Sequence, residues 1–129
     1  MKILTIEPEL LVEDMTKTLK FYRELLGFNE EVIFPENSPI FAQVEKDKIR
    51  IMLYLRSDFE KEIPKIRDIK MGGSILLYFR VEKISDFYNE MKEKVKIIQM
   101  LHKTDYSSLE FTMEDCNGYL ICFSEKTSS

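Results

Sequence analysis

One internal repeat constrains this chain more than any other feature. Val12-Glu13 recurs as Val81-Glu82, an offset of 69 residues. The first segment, "DMTKTLKFYRELLG", carries apolar Met15, Leu19, Tyr22 and Leu26 at helical spacing. The same offset gives Ile84, Tyr88, Met91 and Val95 in "KISDFYNEMKEKV". Val44-Glu45 maps onto Met113-Glu114 in a later strand. An offset that survives across a helix and a distant strand marks a duplicated unit.

Each half reads as strand, helix, then further strands. Half one runs "ILTI…LLV", a helix over 14–26, "NEEVIF", "IFAQVE" and "KIRIMLYLR". Asp14 is placed to cap that helix and Gly27 to stop it. Half two runs "SILLYFRV", a helix over 84–94, "VKIIQML", "SLEFTME" and "YLICFS". The expected organisation is a single domain over 1–129. Module one covers about 1–57, a polar connection with one helical turn about 58–73, and module two about 74–129. A chain of 129 residues can bury roughly two-thirds of its unfolded surface, so a real core is expected.

The strands alternate between two kinds of face. Ile49, Ile51, Leu53 and Leu55 lie on one side, and Arg50, Met52, Tyr54 and Arg56 on the other. Ile75, Leu77, Phe79 and Val81 oppose Leu76, Tyr78 and Arg80. Leu109, Phe111 and Met113 oppose Glu110, Thr112 and Glu114, and Tyr119, Ile121 and Phe123 oppose Leu120, Cys122 and Ser124. The uniformly apolar faces should pack on the helices. The mixed faces suit a ligand cavity, a partly exposed sheet or a subunit contact.

Composition narrows the partners. A net charge of −4 argues against a sequence-independent grip on nucleic acid. No apolar run approaches the roughly 20 residues of a membrane helix, and "MKILTI" is too short for a signal peptide core. Two cysteines without a secretion signal point to reduced thiols in a cytoplasm. On the alternation, Glu7, Glu9, Arg50, Arg80 and Glu110 share the mixed face. Either they pair with one another, or the acids select a cationic ligand with Phe41, Tyr54 and Tyr78 as stacking surface. His102 is the single histidine. A lone histidine on a late strand is more often structural than catalytic. Cys122 as a nucleophile lacks a paired histidine, so a small wall residue is the leading reading.

With these residues in view, "VEDMTKTLKFYRELLGF" followed by "FTMEDCNGYLICFSE" resembles the vicinal oxygen chelate superfamily of glyoxalases, bleomycin resistance proteins and dioxygenases. The resemblance rests on Val12-Glu13-Asp14, Phe21-Tyr22, Leu26-Gly27-Phe28 and the late turn and apolar strand at Glu114 to Phe123, where Cys116 replaces the usual proline. It implies an α+β fold of two βαβββ modules forming an incomplete barrel, and a homodimer. It also implies a metal at four positions, which here are Glu7, Met52, Leu76 and Cys122. Leucine cannot coordinate a metal and a thioether suits hard divalent ions poorly, so no metal and no cofactor are expected. The resulting expectation is a metal-independent protein that sequesters a small cationic or aromatic molecule, as in antibiotic resistance. The alternative is a lyase, isomerase or dioxygenase with a shifted or non-metal site. The expected cavity residues are Glu7, Glu9, Phe41, Arg50, Met52, Tyr54, Leu76, Tyr78, Arg80, Glu110, Thr112 and Cys122.

Overall fold

The computed structural model describes residues 1–127. The final Ser128 and Ser129, which close the expected module two, lie outside them. Two compact units divide the chain, Met1–Met71 and Gly72–Ser129. In the first unit β1 (Glu9–Val12) is followed by α1 (Met15–Lys20), then β2 (Asn29–Phe34), β3 (Phe41–Lys46), β4 (Ile49–Leu55) and α2 (Arg56–Glu62). In the second, β5 (Leu76–Arg80) is followed by α3 (Ile84–Met91), β6 (Lys96–Lys103), β7 (Ser108–Glu114) and β8 (Leu120–Lys126). Each unit is thus a βαβββ module. Its four strands form one mixed sheet, in the order β1-β4-β3-β2 or β5-β8-β7-β6, with the first strand parallel to the last. Neither sheet closes on itself.

The helix signals act as the sequence implies. Asp14 Oδ1 accepts a hydrogen bond from the Lys17 amide at 3.0 Å, satisfying a donor that the first helical turn leaves free. After Lys20 the chain widens into a π-helical turn over Phe21–Leu25 and stops at Gly27, whose φ of +76° suits glycine. Met15, Leu19, Tyr22 and Leu26 are all buried. In module two, α3 lacks a side-chain cap of its own. Instead the Glu125 carboxylate on β8 accepts from the amides of Lys83 and Ile84 at 3.1 and 3.0 Å. Phe87 and Tyr88 of α3 pack edge-on against Phe111 and Phe123, joining helix to sheet through the apolar face.

Three expectations change. The "ILTI" segment is not a strand: pairing begins only where the Pro8 carbonyl accepts the Met52 amide at 2.9 Å, and residues 1–6 are exposed. Proline has no N–H to extend the ladder upstream. Arg56 leaves the β4 face and begins α2. Its guanidinium binds Glu60 and reaches the Ile66 and Ile69 carbonyls at 3.1 and 2.6 Å. This clamp makes the connection more helical than one turn, adding α2 and a 3-10 turn over Pro64–Asp68.

Candidate functional site

Strand register decides which side chains share a face, because directly opposed residues on neighbouring strands point the same way. In module two, Tyr78, Cys122, Thr112 and Gln99 form one cross-strand row. Arg80, Ser124, Glu110 and His102 form the next. In module one the corresponding rows are Glu9, Met52 and Gln43, then Leu11, Tyr54, Phe41 and Phe34.

The charged centre of the second module is Glu110, in the middle of β7 and only 6% exposed. Its carboxylate accepts hydrogen bonds from the Tyr78 hydroxyl, from the Tyr106 hydroxyl at 2.8 Å, and a longer one from the Cys122 thiol at 3.8 Å. No ion pair reaches it among the described residues. Burial works against the ionised form, but the hydroxyl and thiol donors outweigh it and hold Glu110 below the usual glutamate range. The same bonds push the Tyr78 and Tyr106 phenols up. Burial, with the Glu110 charge behind it, also pushes the Cys122 thiol up, so Cys122 is a neutral donor and not a thiolate. Arg80 stacks over the Tyr78 ring at 5.6 Å.

Ser124 lies beside this group. Its hydroxyl is near enough to Glu110 and Tyr78 to favour their ionised forms, yet it completes no hydrogen bond of acceptable geometry. At 1% exposure it is the unsatisfied buried side-chain oxygen among the described residues. His102 belongs to the same row, with Nδ1 2.8 Å from the Met100 carbonyl.

Module one is arranged differently. The Tyr54 ring is edge-on to Phe41 at 6.1 Å and to Phe59 of α2 at 4.9 Å. Burial, then Glu62, Asp58 and Glu9, push the Tyr54 phenol up. Burial and the neighbouring Glu62 likewise raise the Glu9 carboxyl. Arg50 is occupied by Glu31 at 3.4 Å and Glu45 at 4.0 Å, and so is a surface pair member. Glu7 precedes β1, and Leu76 is 48% exposed on edge strand β5.

The structure therefore brings together Tyr78, Glu110, Thr112, Cys122 and Arg80 on one face, and Glu9, Met52, Tyr54 and Phe41 on another. Sequence reasoning passed over Tyr106, Ser124, Phe59 and Glu62. Strand parity alone placed Ser124 beside Cys122. Nothing local marks Tyr106, which reaches Glu110 only across the β6–β7 turn.

A family model described as the Glyoxalase/Bleomycin resistance protein/Dioxygenase superfamily matches residues 2–123. The chain belongs to that superfamily. Its α+β fold of paired βαβββ modules is the superfamily's, and solved structures repeat it. A virulence protein, STM3117, from Salmonella typhimurium superposes with a TM-score of 0.75 at 25% identity, covering 98% of this chain and 100% of that one. TnmS3, an antibiotic binding protein from Streptomyces sp. CB03234, gives 0.76 at 19% identity over 98% and 99%. A lactoylglutathione lyase from Agrobacterium tumefaciens gives 0.74 at 13% over 95% and 92%. No curated protein matches the chain.

The metal positions that superfamily membership implies do not fit a metal here. Module one offers Glu7 and the Met52 thioether, and module two offers Leu76 and a protonated Cys122 engaged with Glu110. Among the described residues no group of three or more His, Cys, Asp or Glu is placed to hold an ion. No helix among them is long and apolar enough to cross a membrane.

Proposed function

We propose that this protein is a metal-independent small-molecule-binding protein that captures a cationic or aromatic ligand stoichiometrically. The observation that carries this reading is Glu110. A buried carboxylate that draws two phenols and a thiol, but no cation among the described residues, is an anion organised to receive positive charge. Its depressed pKa suits binding better than proton transfer, since a general base works best with a value near the working pH. The donor set at Glu7, Met52, Leu76 and Cys122 adds support, and the antibiotic binding protein among the structural relatives shares the scaffold. Within module two, Thr112 is a wall group, Leu76 a rim group, and Arg80 positions the Tyr78 ring.

A second reading, an enzyme with a shifted or non-metal site, has one observation behind it. The raised carboxyl of Glu9 moves towards the range that proton transfer needs. We further infer a single functional domain built from both modules, working as a homodimer in a reducing cytoplasm. Cys116 and Cys122 carry thiols rather than a disulfide, and edge strands β2 and β6 expose Val32, Phe34, Ile98 and Met100.

Metal analysis of chelator-free protein, with melting curves on added divalent ions, tests the metal-free reading. Stoichiometric metal, or a large metal-dependent rise in Tm, would overturn it. Calorimetric titration with glycopeptides and aromatic cations tests capture. Binding to the wild type and its loss in Glu110→Gln are expected, and equal binding to both would refute the assignment.

A further inference from the structure

We propose that Glu110 and Ser124 form the receiving end of a subsite for a protonated amine bearing N–H donors, and that the Tyr106 hydroxyl holds the place until such an amine displaces it. The inference deepens the capture reading above and rests on it.

Three observations point to it. The two phenols on Glu110 are not equivalent. Tyr78 donates from strand β5, two residues along from the residue paired with Ser124. Tyr106 donates from the turn between β6 and β7, and its side chain leaves the residue 64% exposed. A mostly exposed group held by one hydrogen bond is the one that can leave. The turn itself stays fixed when the side chain swings. The Thr104 amide donates to the Ser108 carbonyl at 2.9 Å, and the Thr127 amide to the Ser107 carbonyl at 2.9 Å.

The second observation is that Tyr106 donates to Oε1, the oxygen that also accepts from Cys122, while Tyr78 holds Oε2. Its departure opens a lone pair on Oε1 without releasing the other oxygen. The carboxylate then keeps its orientation while it gains a vacancy.

The third is Ser124. A buried hydroxyl with no partner is costly, and its neighbours here are the anion and its phenol. A ligand that donates to Oε1 from the place of Tyr106, and also to Ser124 Oγ, needs at least two N–H donors on one nitrogen. A primary ammonium supplies three, and a guanidinium or amidinium also qualifies. A quaternary ammonium supplies none. It is matched instead by an aromatic cage, whereas the Tyr78 and Tyr106 phenols turn their hydroxyls to Glu110.

Phenethylamine, its N,N,N-trimethyl analogue and phenethyl alcohol form a matched probe set for titration calorimetry. The amine should bind the wild type and bind Tyr106→Phe several-fold tighter, because the internal competitor is gone. Glu110→Gln should abolish binding, and Ser124→Ala should weaken it about tenfold, the worth of one charge-assisted hydrogen bond. The trimethyl analogue should bind at least about tenfold more weakly than the amine, and the alcohol more weakly still. Amide NMR shifts on the wild type provide a check that no variant's folding can disturb. Tyr106, Glu110 and Ser124 should move together as the amine is added. Equal affinity for the amine and its trimethyl analogue, with loss in Glu110→Gln, would overturn this proposal and leave cation capture standing. Unchanged affinity in Tyr106→Phe, or no response at Ser124, would also overturn it. No binding of either cation to any variant would overturn both readings.

Discussion

The bond between Tyr78 and Glu110 can be weighed directly. Tyr78→Phe deletes the hydroxyl that donates to a carboxylate 6% exposed, and keeps the ring that Arg80 covers. A hydrogen bond to a charged group is worth about 1.5–3 kcal/mol. Tyr78 is itself 42% exposed, so water can replace part of the loss and the low end applies. Unfolding 129 residues carries an entropy of about 0.27 kcal/mol/K, so a loss of about 1.5 kcal/mol lowers Tm by about 5–6 °C. Urea and thermal melts at neutral pH measure it. In a Glu110→Gln background the same change should cost far less, because the charge that strengthened the bond is gone. The pH dependence has a fixed sign. Glu110 has a folded pKa below its ordinary value of about 4.3. Its contribution is therefore complete above that ordinary value and fades as pH falls through the depressed one. A Tyr78→Phe protein as stable as wild type, or an equal cost in both backgrounds, would show that no such bond holds the carboxylate.

Other outcomes follow from the same geometry. The chain has six tyrosines, and absorbance titration at alkaline pH should show Tyr54, Tyr78 and Tyr106 ionising late. Glu110→Gln should remove the delay for Tyr78 and Tyr106 but leave Tyr54, which owes its shift to burial and to Glu62, Asp58 and Glu9; a uniform response would contradict this. Gly72→Ala should destabilise by about 1–3 kcal/mol in denaturant melts, since the glycine sits at φ +87° and an added Cβ would lie 2.6 Å from the Gly118 carbonyl oxygen.

Local rules made much of the fold legible. Alternation placed β7 at its observed bounds, Ser108–Glu114. Asp115 fixes the late turn as its residue type implies, with Oδ1 accepting from the amides of Asn117 and Tyr119 at 2.8 and 2.9 Å. Features set by distant partners were not legible. The "ILTI" run has a strand's composition, but none of the described residues pairs with it as a strand. The Arg56 clamp acts over ten to thirteen residues, and no local pattern encodes it. The candidate site shows the same division. Parity put Glu110, Thr112 and Cys122 on one face. The charge balance around Glu110 depends on Tyr106, and a turn residue's reach is not written in its neighbours.

The duplication carries a last consequence. Phe41 and Glu110 are equivalent under the 69-residue offset, as are Leu11 and Arg80. The turn Cys116–Gly118 is one residue longer than Asp47-Lys48, so Tyr54 becomes equivalent to Ser124 and Met52 to Cys122. One module thus presents the row Leu11, Tyr54, Phe41, Phe34 and the other Arg80, Ser124, Glu110, His102. Arg80 and Glu110 thus stand where module one has Leu11 and Phe41. The cation-receiving charge of module two therefore has no counterpart at those positions of module one. Writing the module-one residue into module two, as Glu110→Phe, should abolish phenethylamine binding in titration calorimetry while a cooperative melt shows the fold kept. Binding retained at wild-type strength would refute the assignment of capture to that charge.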